Sequence, residues 1–482
     1  MIQIDLIRRI VGAMFMVFGI TMLPPMAISV LYSDGKWPVF FWLMIVTLAI
    51  GYMLFRNTPK QREPKTRDGV IAVVLIWFGF SFIGALPLYW ALDIGFTNAF
   101  FEATSGLSTT GATVLHGLET LPKSILWYRQ QLHFFGGMGV IVLAVAILPL
   151  LNVGGMQLYK TEATGPKKED KLAPRIAQTA RVLFVVYLSL MIVVALAFWL
   201  AGMNGFDAIT HAMSAIATGG FANYDASFGH FNSLTIELIA QFAMIAGALN
   251  FGLHYTVWHS RSLSGYFADQ ESKAFFVILF STIWLTALVL WLDHDVVSIF
   301  DGLRRASFTV IAIMTGTGFG ITDFHNWPHF LPVLMIFISY IGGCAGSTTG
   351  GLKVMRVFLL FKQASREAKK LVQPNIVAHI KFNGRIVPEE VTSGVWGFFV
   401  LYVLTAGLFT LLMIRAGLEP LTAFSAVAAS LNNLGPGLNE IASTSHSVSD
   451  FGKWVMSFAM IIGRLEILTI FVLFTPIFWR RF

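Results

Sequence analysis

Charge is scarce in this sequence. Asp, Glu, Lys and Arg together supply 12% of its 482 residues, about half the usual share of a soluble domain, whereas hydrophobic residues supply 56%. A water-soluble enzyme of this size cannot cover its surface with so few charges, so that class is excluded. Cysteine is scarcer still. Cys344 stands alone, which rules out an intramolecular disulfide framework and a cysteine-rich metal site. The histidines show no metal-ligand spacing, and the 44 Phe and 19 Met read as lipid-facing bulk. The net charge of +7 is spread along the chain rather than gathered into one patch, so no nucleic-acid partner is expected. What the chain has in abundance is long apolar runs, and they define a polytopic protein of the lipid bilayer.

A helix needs about 20 apolar residues to cross the hydrocarbon core. Uncharged runs of that order cover 10–33, 37–55, 69–92, 130–159, 182–206, 238–260, 274–292, 324–352 and 391–414; a tenth, 454–479, contains Arg464 and Glu466. Arg8 and Arg9 precede a run too long for a signal-peptide core, so the first run is expected to remain as a span. With the N-terminus in the cytoplasm, 25 of the 33 Lys and Arg fall on the cytoplasmic side, seven fall outside, and Arg464 lies within the membrane. The cytoplasmic connections are then 56–68, 159–181, 261–273 and 353–388, with Arg480 and Arg481 at the end. The positive-inside rule selects this multi-pass orientation, with both termini cytoplasmic. Four shorter apolar stretches, near 97–110, 206–218, 298–314 and 420–432, all fall in outer connections. Segments of that length are re-entrant or interfacial, and irregular backbone at membrane depth survives only when buried in protein or lining an aqueous cavity. The expected fold is therefore all-α: ten transmembrane helices plus four re-entrant pore helices around one ion pathway.

Each short stretch ends in a cluster of small residues. Aligning Gly111, Gly220, Gly318 and Gly435 places Ser105, Ser214, Ala312 and Ala429 six residues before each glycine. The glycines recur at intervals of 109, 98 and 117 residues, one span–segment–span unit each time. This divides the chain into an N-terminal helix pair, 1–67, and four repeats, 68–160, 161–262, 263–372 and 373–482. A dehydrated monovalent cation needs several oxygens that admit it and release it again. Glycine permits the positive φ angles that turn successive carbonyls toward one axis, and no carboxylate occurs in the four clusters. Close helix packing through small residues is the alternative reading of the same glycines.

Two further features point to gating. The run from about 329 to 361 contains Gly342, Gly343, Gly346, Gly350 and Gly351. Glycine costs roughly 1 kcal/mol per helix-interior position, so the helix should break there, with Ser347, Thr348 and Thr349 satisfying the freed backbone groups. The string has the glycine spacing of a phosphate loop, but Lys353 does not directly follow the glycine and no Ser or Thr comes next, so a nucleotide site is rejected. Arg464 is the second feature. A central arginine costs about 2.5–3.5 kcal/mol to insert, and its charge would oppose a cation on the axis; a buried pairing with Glu466 or another acid is the alternative.

The segments 109–113, 135–151, 342–353, 432–437 and 463–466 resemble the Trk/Ktr/HKT superfamily of potassium transporters, in particular the membrane subunit of bacterial Trk systems, and the resemblance covers essentially the whole chain. It implies a selectivity filter of Thr109, Thr110 and Gly111; Thr218, Gly219 and Gly220; Gly316, Thr317 and Gly318; and Asn433, Leu434 and Gly435, with K⁺ held at these residues as the transported ion. Glycine in all four repeats is similar to the potassium-preferring members; the third cluster, 314–320, is richer in glycine than the usual Thr-Ala-Gly-Phe-Thr pattern. The resemblance also implies a gate made of the intramembrane loop 342–353 and Arg464 below the filter. It further implies a homodimer in the bacterial inner membrane, regulated by a cytosolic TrkA-like subunit with NAD- and ATP-binding domains. No cofactor is expected on this chain. A Na⁺- or H⁺-coupled carrier of another small solute is the competing reading, but it predicts inverted repeats, whereas these four run in one direction. A membrane enzyme would need clustered intramembrane acids or histidines, and Glu466 is the only intramembrane carboxylate the sequence brings forward.

Overall fold

The computed structural model describes residues 2–56, 66–146, 172–328 and 330–480. Several features of the sequence lie outside these residues: Lys60, Arg62, Lys65, Lys160, Lys167, Lys168, Lys171 and Arg481, the end of the 135–151 segment, and the boundary at 160–161. The chain opens with α1 (Ile4–Ile20), α2 (Leu23–Leu31) and α3 (Trp37–Phe55). Pro24 and Pro25, which lack a backbone N–H, begin α2 and account for the break before it. Gly12 and Gly51 let α1 and α3 cross closely: a Cβ on Gly12 would stand 2.6 Å from the Gly51 carbonyl oxygen. That is the small-residue crossing expected where lipid removes the hydrophobic drive between helices.

Four units of similar order follow. The first comprises α4 (Thr66–Leu92), α5 (Phe96–Leu107) and α6 (Lys123–Ala146). The second comprises α7 (Leu172–Leu200), α8 (Gly205–Ile216), α9 (Leu234–Ala248) and α10 (Phe251–Ser260). After a single turn, α11 (Ser264–Ala268), the third comprises α12 (Gln270–Leu292), α13 (Ile299–Met314), α14 (Leu331–Ile341) and α15 (Val354–Val372). A two-stranded hairpin, β1 (Lys381–Phe382) with β2 (Arg385–Ile386), leads to the fourth. That unit comprises α16 (Glu389–Arg415), α17 (Pro420–Leu431), α18 (Asp450–Leu465), α19 (Ile467–Phe471) and a last turn, α20 (Pro476–Trp479). The short helices α5, α8, α13 and α17 are buried along most of their length, and the longer helices surround them.

Among the described residues, six helices are long and apolar enough to cross a membrane, or eight if each of two sharply bent pairs counts as one span. The bends were not foreseen as breaks. The run at 238–260 turns by 102° between α9 and α10, where Asn250 caps the new helix by accepting the Gly252 N–H at 2.7 Å. The last run turns by 105° after α18, at Glu466, whose φ is +62°. The glycine-rich run does break as expected, between α14 and α15.

Candidate functional site

Each of the four short helices ends in the same way. Ser108, Ala217, Thr315 and Asn432 keep right-handed helical backbone; the next residues, Thr109, Thr218, Gly316 and Asn433, have φ of +53°, +51°, +69° and +52°. The residues after those donate their N–H to a carbonyl five residues back: Thr110 to Ser105 at 2.9 Å, Gly219 to Ser214 at 2.9 Å, Thr317 to Ala312 at 2.8 Å and Leu434 to Ala429 at 2.8 Å. This is the Schellman helix ending, with a left-handed residue closing the last turn. The small residue six places before each aligned glycine supplies the backbone carbonyl that accepts this closing bond. Gly111, Gly220, Gly318 and Gly435 then take φ of +83°, +87°, +77° and +93°. Three of the four left-handed closing positions carry Thr or Asn, and a β-branched threonine there is strained backbone of the kind that clusters at functional sites.

The four endings close on one another. A Cβ on Gly111 would overlap the carbonyl oxygen of Gly219, one on Gly220 that of Thr317, and one on Gly318 that of Leu434. The cycle ends where it began, since a Cβ on Gly435 would stand 2.7 Å from the Thr110 oxygen. Four carbonyl oxygens, one from each repeat, thus lie against four glycines in a ring, in chain order. The same four glycines line a cavity of about 480 Å³ with residues of the loops that follow the short helices. Asn433 ties the fourth ending to the first, donating to the Thr110 hydroxyl at 3.0 Å.

The ring is braced by an ion pair that the sequence did not bring forward. Glu102, in α5, is fully buried and meets Arg129 of α6 at 2.8 Å. It also accepts from the Thr113 hydroxyl and the Val114 N–H, just beyond Gly111. Arg129 in turn donates to the Ala222 carbonyl, beyond Gly220, and lies 4.1 Å from the Phe221 ring centre. Arg129 is a buried strut, 1% exposed. Buried Glu271 and Glu237 join Glu102, so Glu466 is not the only carboxylate among the helices. The signal available was an acid and a base at 102 and 129 within otherwise apolar stretches.

Beneath the ring lies the segment between α14 and α15. Gly342, Gly346 and Gly351 have φ of +71°, +73° and +76°, and the hydroxyls satisfy the freed backbone as expected. Thr349 Oγ1 accepts from Gly343 N–H, and Ser347 Oγ donates to the Cys344 carbonyl. The Lys353 ammonium bonds the Thr349 carbonyl and hydroxyl. A Cβ on Gly350 would overlap the Asn432 carbonyl oxygen, so the segment touches the end of α17 directly. It also docks on the α9–α10 break, Cys344 N–H reaching the Ala248 oxygen at 2.8 Å and Thr348 N–H the Gly247 oxygen at 3.2 Å. Thr348 Oγ1 stands 3.1 Å from Thr218 Oγ1.

Arg464 is 4% exposed and does not pair with Glu466. It donates to the Thr348 carbonyl at 2.7 Å and to the Gly136 carbonyl at 3.4 Å, so it joins the broken segment to α6. Glu466 instead pairs with Arg356 of α15 at 2.7 Å. The two residues, separated by one position, face different elements, as the helical rotation between i and i+2 requires and the bend at Glu466 accentuates. Asp207 and Asp301 sit in the first turns of α8 and α13, where Asn204 and Ser298 cap the helix by accepting their N–H groups.

A family model described as TrkH, cation transport protein, matches residues 36–480. The Trk system potassium uptake protein TrkH of Escherichia coli K12 is 47% identical over 479 residues, 98% of this chain and 99% of that protein. The protein of the same name from Vibrio parahaemolyticus is 48% identical over 483 residues, covering 99% of this chain and all of its own. The Trk system potassium uptake protein TrkG of Escherichia coli K12 is 38% identical over 481 residues, 99% of each chain. The crystal structure of the potassium transporter TrkH from Vibrio parahaemolyticus matches with a TM-score of 0.93 at 46% identity, covering 99% of this chain and 100% of that one.

Proposed function

This chain belongs to the TrkH family of cation transport proteins, and from that premise we propose that it takes up potassium through a filter built by the four helix endings. The observation that carries this reading is the closed ring in which the carbonyl oxygens of Thr110, Gly219, Thr317 and Leu434 each rest on a glycine of a neighbouring repeat. Backbone oxygens replace the water shell of a monovalent cation without the tight grip that a carboxylate would exert on divalent ions. The short helices run toward the ring and direct their negative ends at it. The twelve residues 109–111, 218–220, 316–318 and 433–435 form the filter in this reading. The ten-span architecture, the four repeats 68–160, 161–262, 263–372 and 373–482, and the outward-facing cavity belong to it as well.

The segment 342–353 acts as the gate. It blocks the path below the filter, and Arg464 holds it there through the Thr348 carbonyl while presenting positive charge to an arriving ion. Opening requires that Thr348 leave Arg464 and that Gly350 leave Asn432. The protein works as a homodimer in the bacterial inner membrane with cytoplasmic termini, and a TrkA-like cytosolic subunit binding NAD or ATP sets the gate. The protein is a transporter rather than an enzyme, with K⁺ as its cargo. Purified protein in vesicles should show reversal potentials that follow the K⁺ gradient and ignore Na⁺. Currents that follow neither would overturn the filter, and a shift with the pH gradient would identify proton coupling.

A further inference from the structure

A single β-hairpin occurs among the described residues, and its tip is tied to the base of the broken segment. Asn383 and Gly384 both have positive φ, +46° and +76°, the two-residue turn that Asn-Gly favours. The turn presents the Asn383 side chain to the start of α12. Asn383 Nδ2 donates to Asp269 Oδ1 at 2.8 Å, its Oδ1 accepts the Gln270 N–H at 2.9 Å, and its own N–H donates to Gln270 Oε1 at 3.1 Å. The other oxygen of Asp269 caps α12 by accepting the Ser272 N–H at 2.8 Å. Between these clasped residues stands Glu271, 1% exposed. One of its carboxylate oxygens accepts both the Ala345 N–H at 2.7 Å and the Met355 N–H at 3.0 Å. A single buried acid therefore holds the segment near its start, at Ala345, and the first turn of α15 that follows it, at Met355. A second link runs in parallel: Ile380, Phe382 and Val387 of the hairpin share a buried apolar cluster with Ala345, Met355 and Leu359.

We propose that Asn383, Gln270 and Glu271 are positioning residues that make the hairpin 380–387 a lever on the segment 342–353. The hairpin tip fixes the first turn of α12, that turn fixes Glu271, and Glu271 fixes Ala345 in the segment and Met355 just after it. Displacing the hairpin turns the first turn of α12, loosens both N–H contacts together and frees the segment to move. The consequence for ion flux rests on the reading of that segment as the gate; the mechanical coupling does not.

The chain carries its own reporter, because its one cysteine, Cys344, lies in the segment and is fully buried. The full-length protein in vesicles is treated with methyl methanethiosulfonate, modification is timed by intact mass, and K⁺ flux is measured in parallel. Asn383→Gly keeps the turn, since glycine adopts positive φ freely, and removes the side-chain clasp. Asn383→Asp keeps the turn too and sets a second carboxylate against Asp269. Cys344 should react roughly fivefold faster in Asn383→Gly, the worth of one or two hydrogen bonds, and faster again in Asn383→Asp. Gln270→Ala removes the third bond of the clasp, from the Asn383 N–H, and should speed modification in the same direction by a smaller factor if the hairpin variants do not fold. Parent-like modification rates in the folded variants would overturn the lever. Faster modification with unchanged flux would uphold the lever and remove the segment from the role of gate.

Discussion

Thr109 and Thr218 adopt left-handed backbone that β-branched residues avoid, so residue identity and local geometry are in tension at the ring. The aligned glycines resolve the same geometry without a side chain, and each has a carbonyl oxygen where a Cβ would go. Gly111→Ala and Gly318→Ala should therefore displace the Gly219 and Leu434 carbonyls and lower the preference for K⁺ over Na⁺ by roughly tenfold, about 1.4 kcal/mol. Competition of the two ions for flux into vesicles measures this, and unchanged preference at normal abundance would remove the filter assignment. Arg464 makes the second prediction at this scale. Two unit charges 4 Å apart repel by about 4 kcal/mol at an effective dielectric of 20, which slows passage up to roughly a thousandfold. Arg464→Ala removes both this barrier and the bond to Thr348 and should raise K⁺ flux per folded molecule, whereas Arg464→Lys should largely preserve the barrier. A well-folded alanine variant with parent-like flux would dismiss the barrier.

At the scale of elements, breaks matter as much as helices. The α9–α10 bend exposes the Gly247 and Ala248 carbonyls that the broken segment uses, and the bend at Glu466 brings Arg356 within reach. Asp34, between α2 and α3, ties the N-terminal helices to α6. Its carboxylate accepts the Ser124 N–H at 2.9 Å, at the start of α6, and so caps a helix from a distant part of the chain. Burial pushes this carboxyl's pKa up, but hydrogen bonds from the Ser29 hydroxyl and the Ser124 and Lys36 N–H groups outweigh it and hold it below the ordinary value. Asp34→Ala should cost about 1 kcal/mol, as lost caps do. Because the folded pKa is lowered, the carboxylate's contribution is complete above the ordinary value near 4. It is lost as pH falls through the folded value. Thermal unfolding in detergent at neutral pH and at progressively lower pH should show the gap between parent and variant closing only below about pH 4. A gap that is constant across that range would mean the charge is not what matters.

Across the whole molecule, the four helix endings are coupled rather than merely adjacent. Arg129 links Glu102 of α5 to the Ala222 carbonyl beyond α8, so the ion pair spans the seam between two quarters of the ring. Arg129→Met should destabilise the protein by about 3–5 kcal/mol, because it leaves the Glu102 carboxylate buried without its countercharge, and adding Glu102→Gln should recover much of that loss. Unfolding temperatures of the single and double variants test this; equal losses in both would mean that packing, not charge, dominates. Much of this architecture is written locally. Apolar runs of membrane length, the recurrence of a glycine six residues after Ser105, Ser214, Ala312 and Ala429, and five glycines between 342 and 351 all act through neighbouring residues: helix length, helix ending and helix breaking. The sequence by itself therefore determined the membrane class, the four alike helix endings and the interrupted helix. It did not determine which groups meet across the fold. That Arg464 finds Thr348 while Glu466 finds Arg356, that Glu102 finds Arg129, and that four separate carbonyls close on four glycines were decided only by the tertiary structure, because each contact joins residues tens to hundreds of positions apart. In a low-dielectric interior a buried charge must take whatever partner the packing of distant helices brings within reach.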